Sequence, residues 1–359
     1  MKTVNAQRIT RVMEQMKLAG LNQLLINDPL SVYYLTDVMN HPFERFWALL
    51  LRESGEHVLF SNRLFNVPFT GLETITLDDT DNVEEHVKPF LSAGTVGVDK
   101  VLPARFLLPL MALTPELTYV LGSDCVDRCR ACKDDAEKAL MRKASELNDQ
   151  TMHRFAAFVH EGVTEAECAA FILNTYRELG CDGVSFDPVV SFGANAADPH
   201  HEPDGTVLKE GDCMVVDIGC KKDGYCSDMT RTFFWKSVSE RHAALYRTVA
   251  EANARAEQLI RPGIPLSKLD AAARNHIAAA GYGEFFTHRL GHFIGMEDHE
   301  KGDVSSTSPL EAEAGQIFSI EPGVYLPGEF GCRVEDLVLV TENGAEILNK
   351  ESKDLTILG

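Results

Sequence analysis

The sequence predicts an α+β protein of two domains: a small mixed α/β domain over residues 1–125, and a larger one over 126–359 with a sheet covered by helices. Three observations carry this. A chain of 359 residues is long for one hydrophobic core. Up to about residue 125, short apolar runs alternate with helical patterns. Beyond it, long helical stretches are interleaved with apolar strand segments.

Ile9, Val12, Met13 and Met16 fall at helical spacing and predict an opening amphipathic helix ending near Gly20. Leu21 to Ile26 reads as a buried strand, followed by a turn at Asn27-Asp28-Pro29. Trp47 to Leu51 and His57 to Phe60 flank Glu53-Ser54-Gly55-Glu56 and predict a hairpin. Val96 to Asp99 and Leu117 to Leu121 add strands around a helical stretch near 103–113. The texture changes at 125–135, and Lys133 to Glu161 predicts one long helix bridging into the second domain. Helices are expected at 164–179, 239–260 and 266–280, and strands at 187–192, 213–219, 225–234, 316–325 and 333–341.

Composition excludes some classes of function. Lys plus Arg is 34 against 54 Asp plus Glu, a net charge of −20, which argues against nucleic acid as a partner. No apolar run approaches the ~20 residues of a membrane span. The opening Met1 to Arg8 shows no signal-peptide pattern. Nine scattered Cys, an odd number, fit free thiols in a reducing compartment, so a cytoplasmic location is expected.

The chemistry concentrates in five places. Asp217 and Asp228 bracket Lys221-Lys222-Asp223-Gly224, a hairpin turn. With Lys222-Asp223 as the loop the two aspartates sit opposite; with Asp223-Gly224, Asp228 faces Gly219 and Asp217 is its diagonal neighbour. Either register puts both carboxylates on one face, where they repel unless a cation or proton lies between them. His288, His292 and His299 fall within twelve residues beside Gly291 and Gly295. Glu321 and Glu335 sit in apolar strand-like surroundings, and buried Glu is rare unless paired or bound to metal. Arg333 shares parity with Glu335 and is its bland alternative partner. Together Asp217, Asp228, His292, Glu321 and Glu335 give four carboxylates and one imidazole on the strands of one sheet. That charge balances two divalent cations, and the oxygen-rich set suits Mn²⁺, Fe²⁺ or Co²⁺ better than a thiolate-lined zinc site does. Two ions ~3.5–4 Å apart would hold a bridging hydroxide.

Asp217-Ile218-Gly219, Ser227 to Thr232, His288 to Glu300, Glu321 to Tyr325 and Arg333 to Asp336 resemble the signatures of the pita-bread metallopeptidases, the prolidase and aminopeptidase P group. Residues 1–125 resemble the creatinase-type N-terminal domain of that family. The resemblance implies a curved, mainly antiparallel sheet covered by helices in 126–359. It implies hydrolysis of the peptide bond before proline in dipeptides or short peptides. Two divalent ions are implied, Mn²⁺ first, with Co²⁺, Fe²⁺ or Zn²⁺ as alternatives. By resemblance Asp217 binds one metal, Asp228 and Glu335 bridge both, and His292 and Glu321 bind the second, with Glu321 relaying protons. His200, in Asn195 to His200, matches a substrate-site histidine; His299 and His288 match other active-site histidines, and Arg333 the arginine of the last motif. A small peptide substrate and a homodimer are implied as partners.

The sequence departs from the pattern after His299. Some prolidases carry an arginine there that binds the substrate's terminal carboxylate; here Lys301-Gly302-Asp303 follows. Cys125, Cys129 and Cys132 have the CxxxCxxC spacing of an iron–sulfur ligand set, but they sit at the domain junction and run into a helix, so the spacing is read as incidental. Two other functions compete: the same fold acting on a non-peptide substrate as an amidohydrolase or lyase, and a non-catalytic binding relative. The complete five-residue set counts against the latter.

Overall fold

The computed structural model describes residues 4–359; the opening Met1-Lys2-Thr3 lies outside them. The chain divides into two compact units after Arg130.

The first unit opens with α1 (Ala6–Leu18), capped by Asn5 Oδ1, which accepts from Arg8 N at 3.1 Å. Its buried stripe is Ile9, Val12 and Met16. After β1 (Gln23–Ile26), the stretch read as a turn starts a helix instead, α2 (Pro29–Thr36). Asp28 is its N-cap, accepting from Ser31 N at 3.0 Å, and Pro29 occupies the first turn, where no N–H is needed. Then come β2 (Ala48–Arg52), β3 (Val58–Asn62), β4 (Glu73–Leu77), α3 (Val83–Val87), β5 (Thr95–Val98), α4 (Ala104–Leu113), β6 (Thr118–Leu121) and α5 (Asp124–Ala131). The sheet order is β4-β3-β2-β1-β5-β6. The expected hairpin pairs Ala48 with Phe60. Cys125 and Cys129 are buried on α5, and none of the nine cysteines forms a disulfide.

The second unit starts with α6 (Asp135–Phe158), set by a capping box in which Asp134 Oδ1 and Glu137 N, and Glu137 Oε2 and Asp134 N, pair at 2.9 Å each. Thr164 and Glu167 repeat the device for α7 (Glu165–Glu178). Next follow β7 (Gly183–Val184), β8 (Val189–Phe192), β9 (Cys213–Ile218), β10 (Cys220–Lys222), β11 (Tyr225–Cys226), β12 (Met229–Trp235), α8 (Glu240–Leu259) and α9 (Leu266–Ala279). The chain ends with β13 (Gly291–Phe293), β14 (Glu300–Val304), β15 (Ile317–Ile320), β16 (Gly323–Leu326), β17 (Phe330–Arg333), β18 (Asp336–Val340), β19 (Ala345–Ile347) and β20 (Thr356–Leu358).

The two larger sheets, largely antiparallel, are ordered β20-β12-β9-β8 and β14-β13-β15-β18-β19, beside a small sheet β11-β10-β7 and the pair β16-β17. They meet where Glu335 N donates to Thr230 O at 3.1 Å. Met214 and Val216 of β9 pack with Phe155 of α6 and Ile172 of α7. Cys213 and Val215, on the opposite parity, join the core of α8 and α9. Asp217 continues that second parity, so its carboxylate emerges on the face away from α6 and α7. Among the described residues no helix is long and apolar enough to cross a membrane.

Three expected strands are broken where function is expected. The 225–234 segment is interrupted at Ser227-Asp228, the 316–325 segment at Glu321-Pro322, and the 333–341 segment at Val334-Glu335. Pro322 has no N–H to give a ladder, which explains the second break. The five candidate ligands therefore do not lie on the strands of one sheet. Asp217 is in β9 and His292 in β13, in different sheets, and the other three stand in the breaks.

Candidate metal centre

The hairpin register is the Asp223-Gly224 one: Lys222 pairs with Tyr225 and Lys221 with Cys226. Asp223 at φ 49° and Gly224 at φ 82° form the left-handed turn that this register requires. Asp217 is then opposite Thr230. His292 reaches the centre because β13 runs close to β15: a Cβ on Gly291 would collide with the Ser319 carbonyl. His292 N also donates to Ser319 Oγ at 3.0 Å.

These placements bring all five residues around one cavity of about 550 Å³, which His200, His288, His299 and Arg333 also line. Ligand atoms of Asp228, His292 and Glu335 lie within 4.8 Å of one another. His292 Nδ1 sits 3.3 Å from Phe293 O, an acceptor, so the ring proton belongs on Nδ1 and the Nε2 lone pair faces inward. That lone pair meets Asp228 Oδ2 at 3.4 Å and Glu321 Oε1 at 3.6 Å. Burial pushes the imidazole down to about 3, so it does not supply the missing positive charge.

The carboxylates show the complementary strain. Burial first, then Glu335, Asp298, Asp217 and Glu321, hold Asp228 well above the usual range. Burial, Glu321 and Asp217 do the same to Glu335, and burial raises Glu321 to about 7. Asp217 Oδ1, Asp228 Oδ1 and Glu335 Oε1 are buried without a hydrogen-bond partner. Buried polar atoms are ordinarily satisfied. Three orphaned acceptors around an inward imidazole lone pair fit divalent cations.

The other oxygens are held by protein donors. Ser319 Oγ donates to Glu321 Oε1 at 3.1 Å, and Thr230 Oγ1 to Glu335 Oε2 at 2.7 Å. Arg333, buried, donates to Asp217 Oδ2 at 2.7 Å, Thr230 Oγ1 at 3.0 Å and Tyr325 OH at 2.7 Å. Arg333 thus partners Asp217 rather than Glu335. Because Tyr325 OH accepts from Arg333, its own proton goes to His288 Nε2 at 3.0 Å, while His288 Nδ1–H reaches Arg289 O at 2.7 Å. Both nitrogens of His288 are engaged. His299 is more open: its ring packs edge-on against His292 with centroids 4.0 Å apart, and its side chain is 62% exposed.

Sequence reasoning placed the acidic Glu297-Asp298 near the pocket without giving Asp298 a role, and missed Glu165 and His201 altogether. Asp298 lines the cavity and is raised to about 7 by burial and by Asp217. Glu165, fully buried, accepts from Phe192 N at 2.7 Å, Asn195 Nδ2 at 3.0 Å, His201 Nε2 at 2.8 Å and Asp204 N at 3.2 Å. It ties down the segment carrying His200. Nothing in the 36-residue interval to His201 signals that pairing; Thr230 and Tyr325, by contrast, stood inside motifs already singled out.

Comparison with known proteins gives a consistent picture. Residues 139–342 match metallopeptidase family M24, and residues 8–132 match the creatinase/prolidase N-terminal domain. An uncharacterized peptidase of Staphylococcus aureus strain USA300 is 37% identical over 358 residues, covering 96% of this chain and 99% of the relative. The crystal structure of dipeptidase PepE from Mycobacterium ulcerans has 35% identity and a TM-score of 0.93, covering 98% of this chain and 97% of that one. A prolidase from Thermococcus sibiricus has 32% identity and a TM-score of 0.89, covering 98% of each chain. The fold is a creatinase-type N-terminal domain followed by a pita-bread domain.

Proposed function

Because this chain belongs to metallopeptidase family M24, we propose that it hydrolyses the peptide bond before proline in Xaa-Pro dipeptides or short peptides. Peptidases of this family use divalent metal ions and act on peptides. The observation that carries the reading is the convergence of Asp217, Asp228, His292, Glu321 and Glu335 on a cavity of about 550 Å³, with three buried carboxylate oxygens unpartnered. The likeness to a prolidase supports the preference for proline.

In this proposal those five residues would hold two divalent ions, Mn²⁺ first. Bound there, the ions supply Lewis acidity and a water activated at neutral pH. Asp217 is oriented by Arg333 Nη2, and Glu335 by Thr230 Oγ1. Glu321 takes a proton from the attacking water and returns it to the departing amine, its Oε1 steadied by Ser319. His200 and His299 donate to charge that develops on the peptide carbonyl oxygen. His288 positions Arg333 through Tyr325 and borders the substrate. The catalytic part is 126–359, and the same reading carries a homodimer in the cytoplasm.

The test is turnover of Mn²⁺-loaded protein on Xaa-Pro dipeptides, Xaa-Pro-Xaa tripeptides and dipeptides without proline, with elemental analysis after dialysis. Two ions per chain and cleavage confined to bonds before proline are expected. Background metal in folded protein, or indifference to proline, overturns the reading.

A further inference from the structure

Asp298 lies outside the five-residue set yet lines the same cavity. Its Oδ1 is buried with no hydrogen-bond partner. Its Oδ2 is 3.5 Å from Nε2 of the exposed His299. Neither cavity arginine forms an ion pair with it. Arg333 is committed to Asp217, Thr230 and Tyr325, and Arg289, on the same wall, makes no ion pair with Asp298 among the described residues.

Four carboxylates already match the charge of two divalent ions, and Arg333 is committed to Asp217, so Asp298 is left without an arginine partner. It is absent from the group whose ligand atoms lie within 4.8 Å around His292. A carboxylate withdrawn from water without a counter-ion is costly, and that cost is relieved when a cation enters beside it. In this cavity the entering molecule is the substrate. An Xaa-Pro peptide brings two kinds of cation: the α-ammonium common to all, and the side chain of a basic Xaa. Proline, fixed after the bond, brings none.

Resting on the Xaa-Pro reading above, we propose that Asp298 is a specificity-determining residue that receives the cationic side chain of a lysine or arginine placed before the scissile bond. A charge-assisted contact in a partly dry cavity is worth about tenfold in kcat/KM or more.

The experiment measures kcat/KM for Lys-Pro, Leu-Pro and Glu-Pro, and for Lys-Ala and Leu-Ala, on Mn²⁺-loaded wild type, Asp298→Asn and Asp298→Lys. Metal content is measured on each, and Asp298→Ser stands in for any variant that fails to fold. Wild type should prefer Lys-Pro over Leu-Pro by about tenfold. Asp298→Asn should abolish that ratio, and Asp298→Lys should turn the preference toward Glu-Pro. A ratio unchanged in Asp298→Asn, whether both rates fall or neither does, overturns the proposal, because the α-ammonium is common to both substrates. A wild-type preference for Leu-Pro overturns it equally. Cleavage of the alanine peptides alone would defeat the proline reading, while the Lys-Ala to Leu-Ala ratio still judges Asp298. Calorimetric binding of free lysine against free leucine gives the same comparison without turnover, and equal affinities that Asp298→Asn does not alter count against the proposal.

Discussion

Asp228, His292 and Glu335 bring ligand atoms within 4.8 Å of one another, and so do Glu165, His201 and Asp204. By spacing alone the two groups are equivalent. Their surroundings are opposite. Glu165 accepts four hydrogen bonds, two of them from backbone N–H groups, so its charge is already answered by protein. Asp228 and Glu335 each keep a buried oxygen with nothing to accept from, and the other Asp228 oxygen meets the His292 imidazole at 3.4 Å. The Glu165 group is a structural clamp. The Asp228 group is a cradle whose charge a cation would answer. A buried carboxylate becomes informative through the donors it lacks, more than through its neighbours of like chemistry.

The largest effect should separate these groups directly. Asp228→Ala and Glu335→Ala are expected to lose ordered metal binding and turnover by about 10³-fold or more. Glu165→Ala should keep its metals and instead lose roughly 3–5 kcal/mol of stability, the cost of stranding donors built around a buried charge. Elemental analysis and denaturant unfolding read both outcomes. Metal loss in Glu165→Ala at intact fold would erase the contrast.

Within the cradle, His292→Ala should lose metal, whereas His299→Ala should retain it and lose about 10²–10³ in kcat. Normal turnover in His299→Ala would show that its place in the cavity is incidental.

A smaller effect sharpens the electrostatic half of the comparison. Glu321 is raised from 4.5 to about 7, so folding favours its protonated form. That contribution is fully present below about pH 4.5 and is lost as pH rises through 7. In chelator-treated protein, Glu321→Gln should therefore melt roughly 2–4 °C above wild type at pH 7.5, and the gap should close toward pH 4.5. A gap that widens on acidification would contradict the sign. The smallest effect is expected from Ser at Cys125, Cys129 and Cys132 together: metal content and hydrolysis nearly unchanged, and no absorbance near 400 nm in anaerobic wild type.

Much of the site was legible because its residues come in local groups whose meaning is short-range. The Lys221 to Gly224 turn puts Asp217 and Asp228 on one face in either register, and Glu321 and Glu335 stand out as charges among apolar neighbours. Long stretches of charges interspersed with apolar residues, and short apolar runs, likewise located most helices and strands of the second unit. The breaks were not legible. Apolar runs such as 316–325 read as continuous strands, because composition carries no sign of where a chain leaves one sheet for another. The tertiary structure alone decided that Arg333 serves Asp217, that Glu165 is clamped by residues 27 to 39 positions away, and that Asp298 faces the cavity unanswered. Each of these depends on which donors distant segments deliver to a buried oxygen, and that is set by packing rather than by local sequence.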